Sequence, residues 1–288
     1  MHDCALTSEH FVIMDHPLMF KPMLMSQPRS EGPGFPIRFD PSRPSRYGLL
    51  RRDAVDDSGI RWFEMPAHMV FHTVAAWEEG DVTVLHACVM ASTDLLVAMR
   101  KVKDQSQRYA DFYDDPTTRP HHCVLLLDRK SGKATVRPVL GEDFIVDFPT
   151  SHPAFVGRRM RYAFLTRFRE RGGLLVRGAV KVDLLERRLV GEFAFEDNES
   201  GGEMLFVPRD HGKTSSKNGA ASDDGWLLTY VHDELTGENW FDVIDATSMQ
   251  RACRLRVDHR VPYGMHTAYL SAAQLDAVRL ATMRVEKS

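Results

Sequence analysis

Clustered cysteines and membrane-spanning segments are absent from this sequence of 288 residues. Its four cysteines, Cys4, Cys88, Cys123 and Cys253, are scattered without a CxxC spacing, which favours reduced thiols in an intracellular compartment over a disulfide framework. No apolar run approaches the roughly 18 residues that a transmembrane helix needs. Residues 1–20, MHDCALTSEHFVIMDHPLMF, lack the basic and apolar regions of a signal peptide and the Arg- and Ser-rich composition of a transit peptide.

An excess of charge of one sign is also missing. The 37 Lys and Arg residues nearly balance 40 Asp and Glu residues, for a net charge of -3, and no long basic run occurs. The sequence therefore offers no electrostatic footprint for nucleic acid. Hydrophobic residues at 43% and charged residues at 27% are typical of a soluble globular protein with a sizeable core. The length allows two average domains or one large all-β domain.

Regular helical periodicity is weak, and short strand-like runs take its place. Apolar or alternating segments rich in Val, Leu, Phe and Tyr are bordered by Gly, Pro, Asp and Asn, which indicates strands. Examples are VTVLHACVM (82–90), CVLLLD (123–128), GLLVRGAVKVDL (173–184) and GWLLTYVHD (225–233). This pattern predicts an all-β protein built as a sandwich, barrel or propeller. Turns such as DRKSGKA and DELTGEN between paired runs favour propeller blades.

Two segments are predicted to be helical and two to be exposed loops. The helical pattern occurs at 102–113 and at 271–284. Residues 26–36 are rich in Pro, Gly and Ser, and residues 211–222 are polar and aperiodic, so both predict loops.

Three of the 13 histidines stand in distinctive surroundings. His2, His72 and His266 are each flanked by apolar residues at or near a predicted strand end, where an imidazole can point into a shared interior. Imidazole is a common metal ligand near neutral pH, so the three suggest a metal site. Spacing alone leaves open the alternative that each is a separate polar side chain with its own hydrogen bond.

Other titratable groupings favour structural roles. His68 lies four residues before the second of these histidines, but no glutamate occupies the HExxH position and the context is strand-like. His121 and His122 follow the polar segment TTRP and are predicted to face solvent. Glu78 and Glu79 are adjacent, and adjacent strand residues point to opposite faces. A turn cap or an ion pair is therefore favoured over an acid/base pair.

Several stretches recur in one known family in the same order, over about residues 1–270. They are MHDCALTSEHFVI, PSRYGLLRR, IRWFEMPAHMVFHTVAAWEEGD, FVGRRMRYAFL, GGEMLFVPRD, DDGWLLTYVHDE, VIDATSM and HRVPYGMH. Through these motifs the chain resembles the carotenoid cleavage oxygenases, especially the plant-type carotenoid and 9-cis-epoxycarotenoid dioxygenases. The match is weakest at 91–140 and 211–222.

The resemblance implies a single domain over residues 1–288 that is part of a seven-bladed β-propeller, with about four to five blades present and short helical decorations. The family holds one Fe(2+) with four histidines. His2, His72 and His266 match the second, third and fourth ligands. The first ligand of the family lies before the MHD motif, so the resemblance implies a chain that is truncated at its N-terminus.

The resemblance also implies roles around the metal. Asp147 and Glu203 match carboxylates that lie behind the ligands, and Phe71, Met265 and Tyr269 are expected to line the substrate tunnel. Asp147 stands where the family has glutamate. Because its side chain is one methylene shorter, it is expected to reach its histidine through a water or to fail to fix the tautomer.

The implied function is an Fe(II)-dependent dioxygenase that uses O2 to cleave a conjugated C=C bond of a carotenoid or epoxycarotenoid into apocarotenoid carbonyl products. The alternative is an inactive truncated propeller that acts as an interaction or lipid-binding module. The isomerohydrolases of animal retina rank lower. The implied location is the plastid, with the cytoplasm as alternative, and the implied partners include a membrane surface but no nucleic acid.

Overall fold

The computed structural model describes residues 2–26, 36–92, 116–170, 175–209, 222–272 and 274–276. The predicted helix at 102–113 and most of the two predicted loops lie outside these residues. Residues 272 and 274–276 are helical, in agreement with the start of the predicted helix at 271–284, and the remainder of that helix lies outside the described residues.

The N-terminal part of the described chain forms one four-stranded antiparallel sheet and a hairpin. The sheet has the order β1-β2-β5-β6, and its strands are β1 (Ala5–Leu6), β2 (His10–Asp15), β5 (Ser45–Arg51) and β6 (Arg61–Met65). β3 (Leu18–Phe20) pairs with β4 (Ile37–Phe39) as the hairpin.

The second sheet is a meander of four consecutive antiparallel strands. They are β7 (Met69–Glu79), β8 (Val82–Met90), β9 (His121–Asp128) and β10 (Ala134–Pro138). β8 and β9 lie in the middle and are buried along most of their length, whereas β10 is largely exposed. The sequence explains this difference, because a strand covered on both faces reads as a continuous apolar run.

The remaining strands form two further antiparallel units. One consists of β11 (Val146–Thr150), β12 (Tyr162–Phe168), β13 (Val176–Asp183) and β14 (Arg188–Ala194). The other consists of β15 (Glu199–Gly201), β16 (Leu205–Pro208), β17 (Gly225–Asp233), β18 (Asn239–Asp245) and β19 (Gln250–Arg256). The two units are joined by the pairing of Val176 with Gly201.

Three apolar clusters lie between successive sheets. Val12, Phe63 and Leu125 belong to the cluster between the first and second sheets. The next cluster combines residues of β8 and β9 with residues of β12 and β13. The third, which includes Phe164 and Leu227, lies between the last two units. The two inner sheets thus bury both faces and the first and last bury one, as consecutive propeller blades do, and each fully buried large side chain contributes about 1.5–3 kcal/mol.

The outermost strand β19 protects its sheet edge with charge. β19 reads QRACRLR and is mostly exposed, and charged edge strands oppose pairing with other chains. Short 3-10 helices at Pro22–Ser26, Pro116–Thr118 and Pro153–Phe155 connect strands. All four cysteines are free thiols, as predicted. Within the described residues, no helix is long and apolar enough to cross a bilayer.

Candidate metal centre

Polar side chains from distant parts of the sequence meet where the first strands of successive sheets come together. β1 contacts β7, and β7 contacts β11. His2 lies three residues before the start of β1, His72 lies in β7 and Asp147 lies in β11. Glu203 lies between β15 and β16, and His266 follows β19. The fold therefore gathers residues that are more than 200 positions apart.

The three predicted histidines face one another across a short gap. His2 Nε2 lies 3.1 Å from His72 Nε2. Ring centroids are 5.0 Å apart for His2 and His72, 5.2 Å for His72 and His266, and 5.7 Å for His2 and His266. One ring nitrogen from each histidine lies within 4.8 Å of the other two. The arrangement could hold one ion between them.

A bulge in β7 places His72 at this position. Val70 pairs with Val89 and Thr73 pairs with Ala87, so Phe71 and His72 together oppose the single residue Cys88. Such an extra residue bends the strand and changes the direction of its side chains, and bulges are common next to active sites.

A second irregularity places the carboxylate behind His72. The register of β11 shifts between Asp147 and Pro149, and the intervening Phe148 has the left-handed φ of 48°. Asp147 Oδ1 lies 2.8 Å from His72 Nδ1 and accepts the Phe148 N–H at 2.8 Å. The expectation that the shorter side chain needs a water or loses its histidine is wrong, because the bulge brings the aspartate into direct contact.

This contact fixes the tautomer of His72. A carboxylate only accepts hydrogen bonds, so Nδ1 of His72 carries the proton and donates it to Asp147. The lone pair of Nε2 is then directed toward the other two histidines. This is the usual way in which a carboxylate orients a ligand imidazole.

Glu203 and His266 form a looser pair on the other side of the gap. The Glu203 carboxylate accepts the backbone N–H of His266 and lies 3.5 Å from its Nδ1. The Glu203 N–H in turn donates to the carbonyl of Gly264 at 3.2 Å. His266 adopts a left-handed φ of 63°, so the turn that directs its ring inward occurs at the histidine itself.

The environment changes the pKa values of two rings. Burial lowers the pKa of His2, and the nearby His72 and His266 lower it further. Burial also disfavours the charged form of His72, but the hydrogen bond and negative charge of Asp147 outweigh it and raise its pKa. His2 is therefore neutral at pH 7, as a metal ligand must be.

The rings open into a cavity of about 420 Å³. It is lined by His2, Asp3, His72, Thr73, Phe148, Pro149, Glu203 and His266. Phe148 packs against two of these rings, with centroid distances of 5.3 Å to His72 and 5.8 Å to His266. The cavity combines an apolar wall with converging nitrogen donors.

The donor set fits a divalent transition metal. Three imidazoles suit iron, zinc, copper or nickel, and metal–nitrogen bonds of about 2.1 Å allow ligand atoms to lie at most about 4 Å apart. The spacing of His2 and His72 already meets this condition, and one nitrogen of each ring lies within 4.8 Å of the other two. The residues therefore fit a metal ion.

Comparison with known proteins identifies the family. The family model described as "RPE65: Retinal pigment epithelial membrane protein" matches residues 1–271. The chain belongs to this family. Its curated members include plant carotenoid and 9-cis-epoxycarotenoid dioxygenases that align with 96% of the chain, which confirms the predicted resemblance.

The chain covers only part of the length of its relatives. The carotenoid 9,10(9',10')-cleavage dioxygenase of Crocus sativus is 32% identical over 96% of this chain and 49% of its own length. The chloroplastic 9-cis-epoxycarotenoid dioxygenase NCED1 of Oryza sativa is 32% identical over 96% of this chain and 40% of its own. The chain thus spans about half the length of these relatives.

Solved structures of the family share the fold. Cobalt-substituted Synechocystis ACO matches with a TM-score of 0.76 at 23% identity, over 94% of this chain and 53% of that one. An ACO/RPE65 chimera matches with a TM-score of 0.74 at 22% identity. These likenesses support the predicted all-β, partial propeller architecture.

Phe71, Met265 and Tyr269, which were predicted to line the substrate tunnel, do not line the histidine cavity. The Phe71 ring packs edge-on against His2, with centroids 5.4 Å apart. Met265 lines a neighbouring groove of about 360 Å³, and Tyr269 lines another of about 370 Å³ beside β17 and β18. Both are exposed because they lie in the segment after β19.

Other histidines lie away from this centre. His68 Nε2 lies 2.6 Å from the Tyr47 hydroxyl. The prediction that His121 and His122 face solvent is wrong for His122, whereas His121 is half-buried. His122 is fully buried in β9, where its Nε2 lies 3.0 Å from His86 Nδ1 and burial lowers its pKa to about 3. The polar segment before it is misleading because the strand starts at His121.

The paired glutamates take part in structural contacts. Glu78 accepts hydrogen bonds from Thr7 and from Ser8, the latter at 2.8 Å. Glu79 lies 3.6 Å from Arg159, in agreement with the favoured ion pair.

Sequence reasoning missed Asp3, Thr73 and Phe148, which also line the cavity. Their sequence positions could have indicated them, since each is the immediate neighbour of a predicted site residue. The hydrogen bonds between Asp3 and Thr73 could not be predicted from the spacing of these residues in the sequence.

Proposed function

We propose that the chain is an Fe(II)-dependent dioxygenase that cleaves a conjugated C=C bond of a carotenoid or epoxycarotenoid with O2, giving apocarotenoid carbonyl products. His2, His72 and His266 would hold the iron, and Asp147 and Glu203 would orient two of them. The convergence of the three rings, with one nitrogen of each within 4.8 Å of the others, carries the proposal. The names of the plant relatives support the substrate class.

Iron bound here would supply activation of O2 for insertion at the double bond. The chain's own residues would bind the metal and orient its ligands. Asp147 holds the His72 proton on Nδ1, so that Nε2 stays available as a donor. No side-chain acid or base is required for the scission, because both new carbonyl oxygens derive from O2.

Placement of the polyene is the second task of the protein. Phe148 lies against two of the three rings and provides an apolar wall beside the centre. We propose that Phe71, Met265 and Tyr269 extend this wall toward the neighbouring grooves. Apolar walls with few polar groups are usual for such ligands.

Metal loading combined with product analysis tests the proposal. The chain is loaded anaerobically with Fe(II), and incubation with a detergent-solubilised carotenoid in air is followed by mass spectrometry of carbonyl products. We expect bound iron and apocarotenoid formation, with both lost in His72→Ala and reduced in His266→Ala. His259→Ala is the matched control, because His259 is exposed and outside the site. Undiminished iron in both site variants would contradict the proposal.

A catalytically inactive interaction or lipid-binding module is the competing function. The 56% exposure of the His266 side chain favours it, since an open centre excludes water poorly. Iron binding without any carbonyl product would support this second function over the first.

We further propose that the protein acts in the plastid, with the cytoplasm as the alternative, and at a membrane surface. The rice relative and an Arabidopsis relative carry the description chloroplastic. Fractionation of tagged protein, followed by a vesicle flotation assay, tests both statements.

A further inference from the structure

We propose that Asp3 is a positioning residue whose carboxylate clamps the His2 segment to β7 and thereby sets the gap between His2 and His72. This inference rests on the proposed function, because the proposed metal site is the gap between these two rings. Asp3 acts through its neighbours and need not touch the metal.

The His2 segment has little else to hold it. β1 begins at Ala5 and pairs with β2 through two residues. In the described part of the chain, the hydrogen bonds that residues 2–4 make beyond their own segment pass through the Asp3 carboxylate and the His2 ring. A ligand on such a segment needs an anchor near its own position.

Asp3 provides this anchor through three donors. Its Oδ2 accepts the Thr73 N–H at 2.8 Å and the Thr73 hydroxyl at 2.7 Å. Its Oδ1 accepts the Cys4 N–H at 2.7 Å. Hydrogen bonds to an ionised acceptor are about twice as strong as neutral ones. The carboxylate therefore fixes the backbone of its own segment and joins it to β7.

The β7 bulge makes this contact possible. The register of β7 shifts on both sides of Thr73, and the Thr73 N–H donates to Asp3. Thr73 follows His72 directly, as Asp3 follows His2. One carboxylate thus joins the immediate neighbours of two rings whose Nε2 atoms are 3.1 Å apart.

A second carboxylate clamp offers a matched comparison. Glu78, five residues beyond Thr73 along β7, accepts from Thr7 and from the Ser8 hydroxyl at 2.8 Å. It joins β7 to the residues that follow β1 and lies outside the histidine cavity. Loosening this clamp should leave the metal site unchanged if Asp3 is what sets the gap.

The experiment compares Asp3→Ala, Thr73→Val, Thr73→Ser and Ser8→Ala in the full chain. Co(II) is the probe, and its affinity and visible d–d spectrum report the site directly. Amide hydrogen exchange at Thr73 in the metal-free chain reports the clamp without any metal. Thermal unfolding of the metal-free variants reports general damage.

We expect Asp3→Ala to weaken Co(II) binding about tenfold, to shift the d–d band and to speed exchange at the Thr73 amide, with little change in thermal midpoint. Thr73→Val should show a smaller loss, and Thr73→Ser, which keeps the hydroxyl, should restore it. Ser8→Ala should bind Co(II) like the wild type.

Two results would overturn the proposal: a Thr73 amide that exchanges freely in the wild-type chain, or unchanged Co(II) affinity and spectrum in Asp3→Ala. Failure of the proposed function looks different. In that case the wild-type chain binds no Co(II), or His72→Ala binds it equally well, while exchange at Thr73 still decides whether the clamp exists.

Discussion

His72 and His266 face the same cavity but are held in different ways. The His72 side chain is 15% exposed and its partner Asp147 is 7% exposed, and both lie within paired strands. The His266 side chain is 56% exposed and lies in the segment after β19, where the described residues form no strand. One side of the centre is therefore built by sheets and the other by a loop.

The difference follows from the hydrogen bonds that hold the backbone on each side of the centre. On the His72 side, bulges interrupt ladders that continue on both sides, so the rest of each sheet holds the irregular residues in place. On the His266 side, Glu203 provides the main link, through the backbone of His266 and Gly264. A centre built this way should have a fixed side and an adjustable side.

The largest expected effect compares the two histidines directly. His72→Ala should abolish Co(II) binding, because it removes the fixed donor and leaves Asp147 buried without its partner. His266→Ala should weaken binding on the order of tenfold, since water can replace an exposed ligand. Co(II) titration followed by visible absorption measures both. Equal losses in the two variants would remove the distinction between the sides.

Hydrogen exchange tests the same comparison without any substitution. Amides of the central strands β8 and β9 should exchange at least about 100-fold more slowly than those of residues 257–272, because ladder amides exchange only on larger opening events. Mass spectrometry of peptides from the metal-free protein gives both rates. Similar protection of the two regions would show that the C-terminal segment is held as firmly as the sheets.

The carboxylates of Asp147 and Glu203 should also differ in their effect on Co(II) affinity. Asp147→Ala should cost about 10–100-fold in Co(II) affinity, because it frees the tautomer and orientation of His72. Glu203→Ala should cost less, since Glu203 lies 3.5 Å from the His266 ring nitrogen and contacts mainly its backbone. Titration of both variants against Co(II) decides the order, and a larger loss for Glu203→Ala would reverse the assignment of the fixed side.

The smallest effect concerns the clamp at the far end of β1. Although burial alone would raise the pKa of Glu78, hydrogen bonds from Thr7, His10 and Ser8 outweigh it and hold this pKa below its usual value of 4.5. A lowered carboxyl pKa stabilises the fold above pH 4.5 and loses this effect as the pH falls through the folded-state pKa. Glu78→Gln should therefore lower the free energy of unfolding by about 1 kcal/mol at pH 7, and the difference should shrink as the pH falls through the folded-state pKa of Glu78.

Urea unfolding at pH 7, 5 and 3 measures this dependence. Asp53→Asn is a suitable control, because Asp53 pairs with Arg51 on the exposed surface, where an ion pair contributes little. A difference for Glu78→Gln that stays constant with pH would show that the carboxylate charge has no part in the clamp.

The sequence predicted the strands well because alternation and turn residues are local signals, and it predicted the meeting of His2, His72 and His266 through motifs carried in family order. It could not predict the direct contact of Asp147, which depends on a bulge at Phe148 rather than on side-chain length. Neither bulge contains a glycine that would mark it.

Burial of individual residues was harder to predict than strands. His122 was misplaced because its polar neighbours precede the strand, whereas its environment is set by the sheets packed on both sides. The tertiary arrangement there outweighs the local composition. Met265 and Tyr269, expected from the resemblance to line the tunnel, lie in the segment after β19 and are exposed.

Anomalous diffraction from a Co(II)-loaded crystal of the chain tests the central claim most directly. The account predicts one strong peak within about 2.0–2.3 Å of a ring nitrogen of His2, of His72 and of His266. A crystal with no peak between these rings, or with cobalt bound by only one of them, would contradict it.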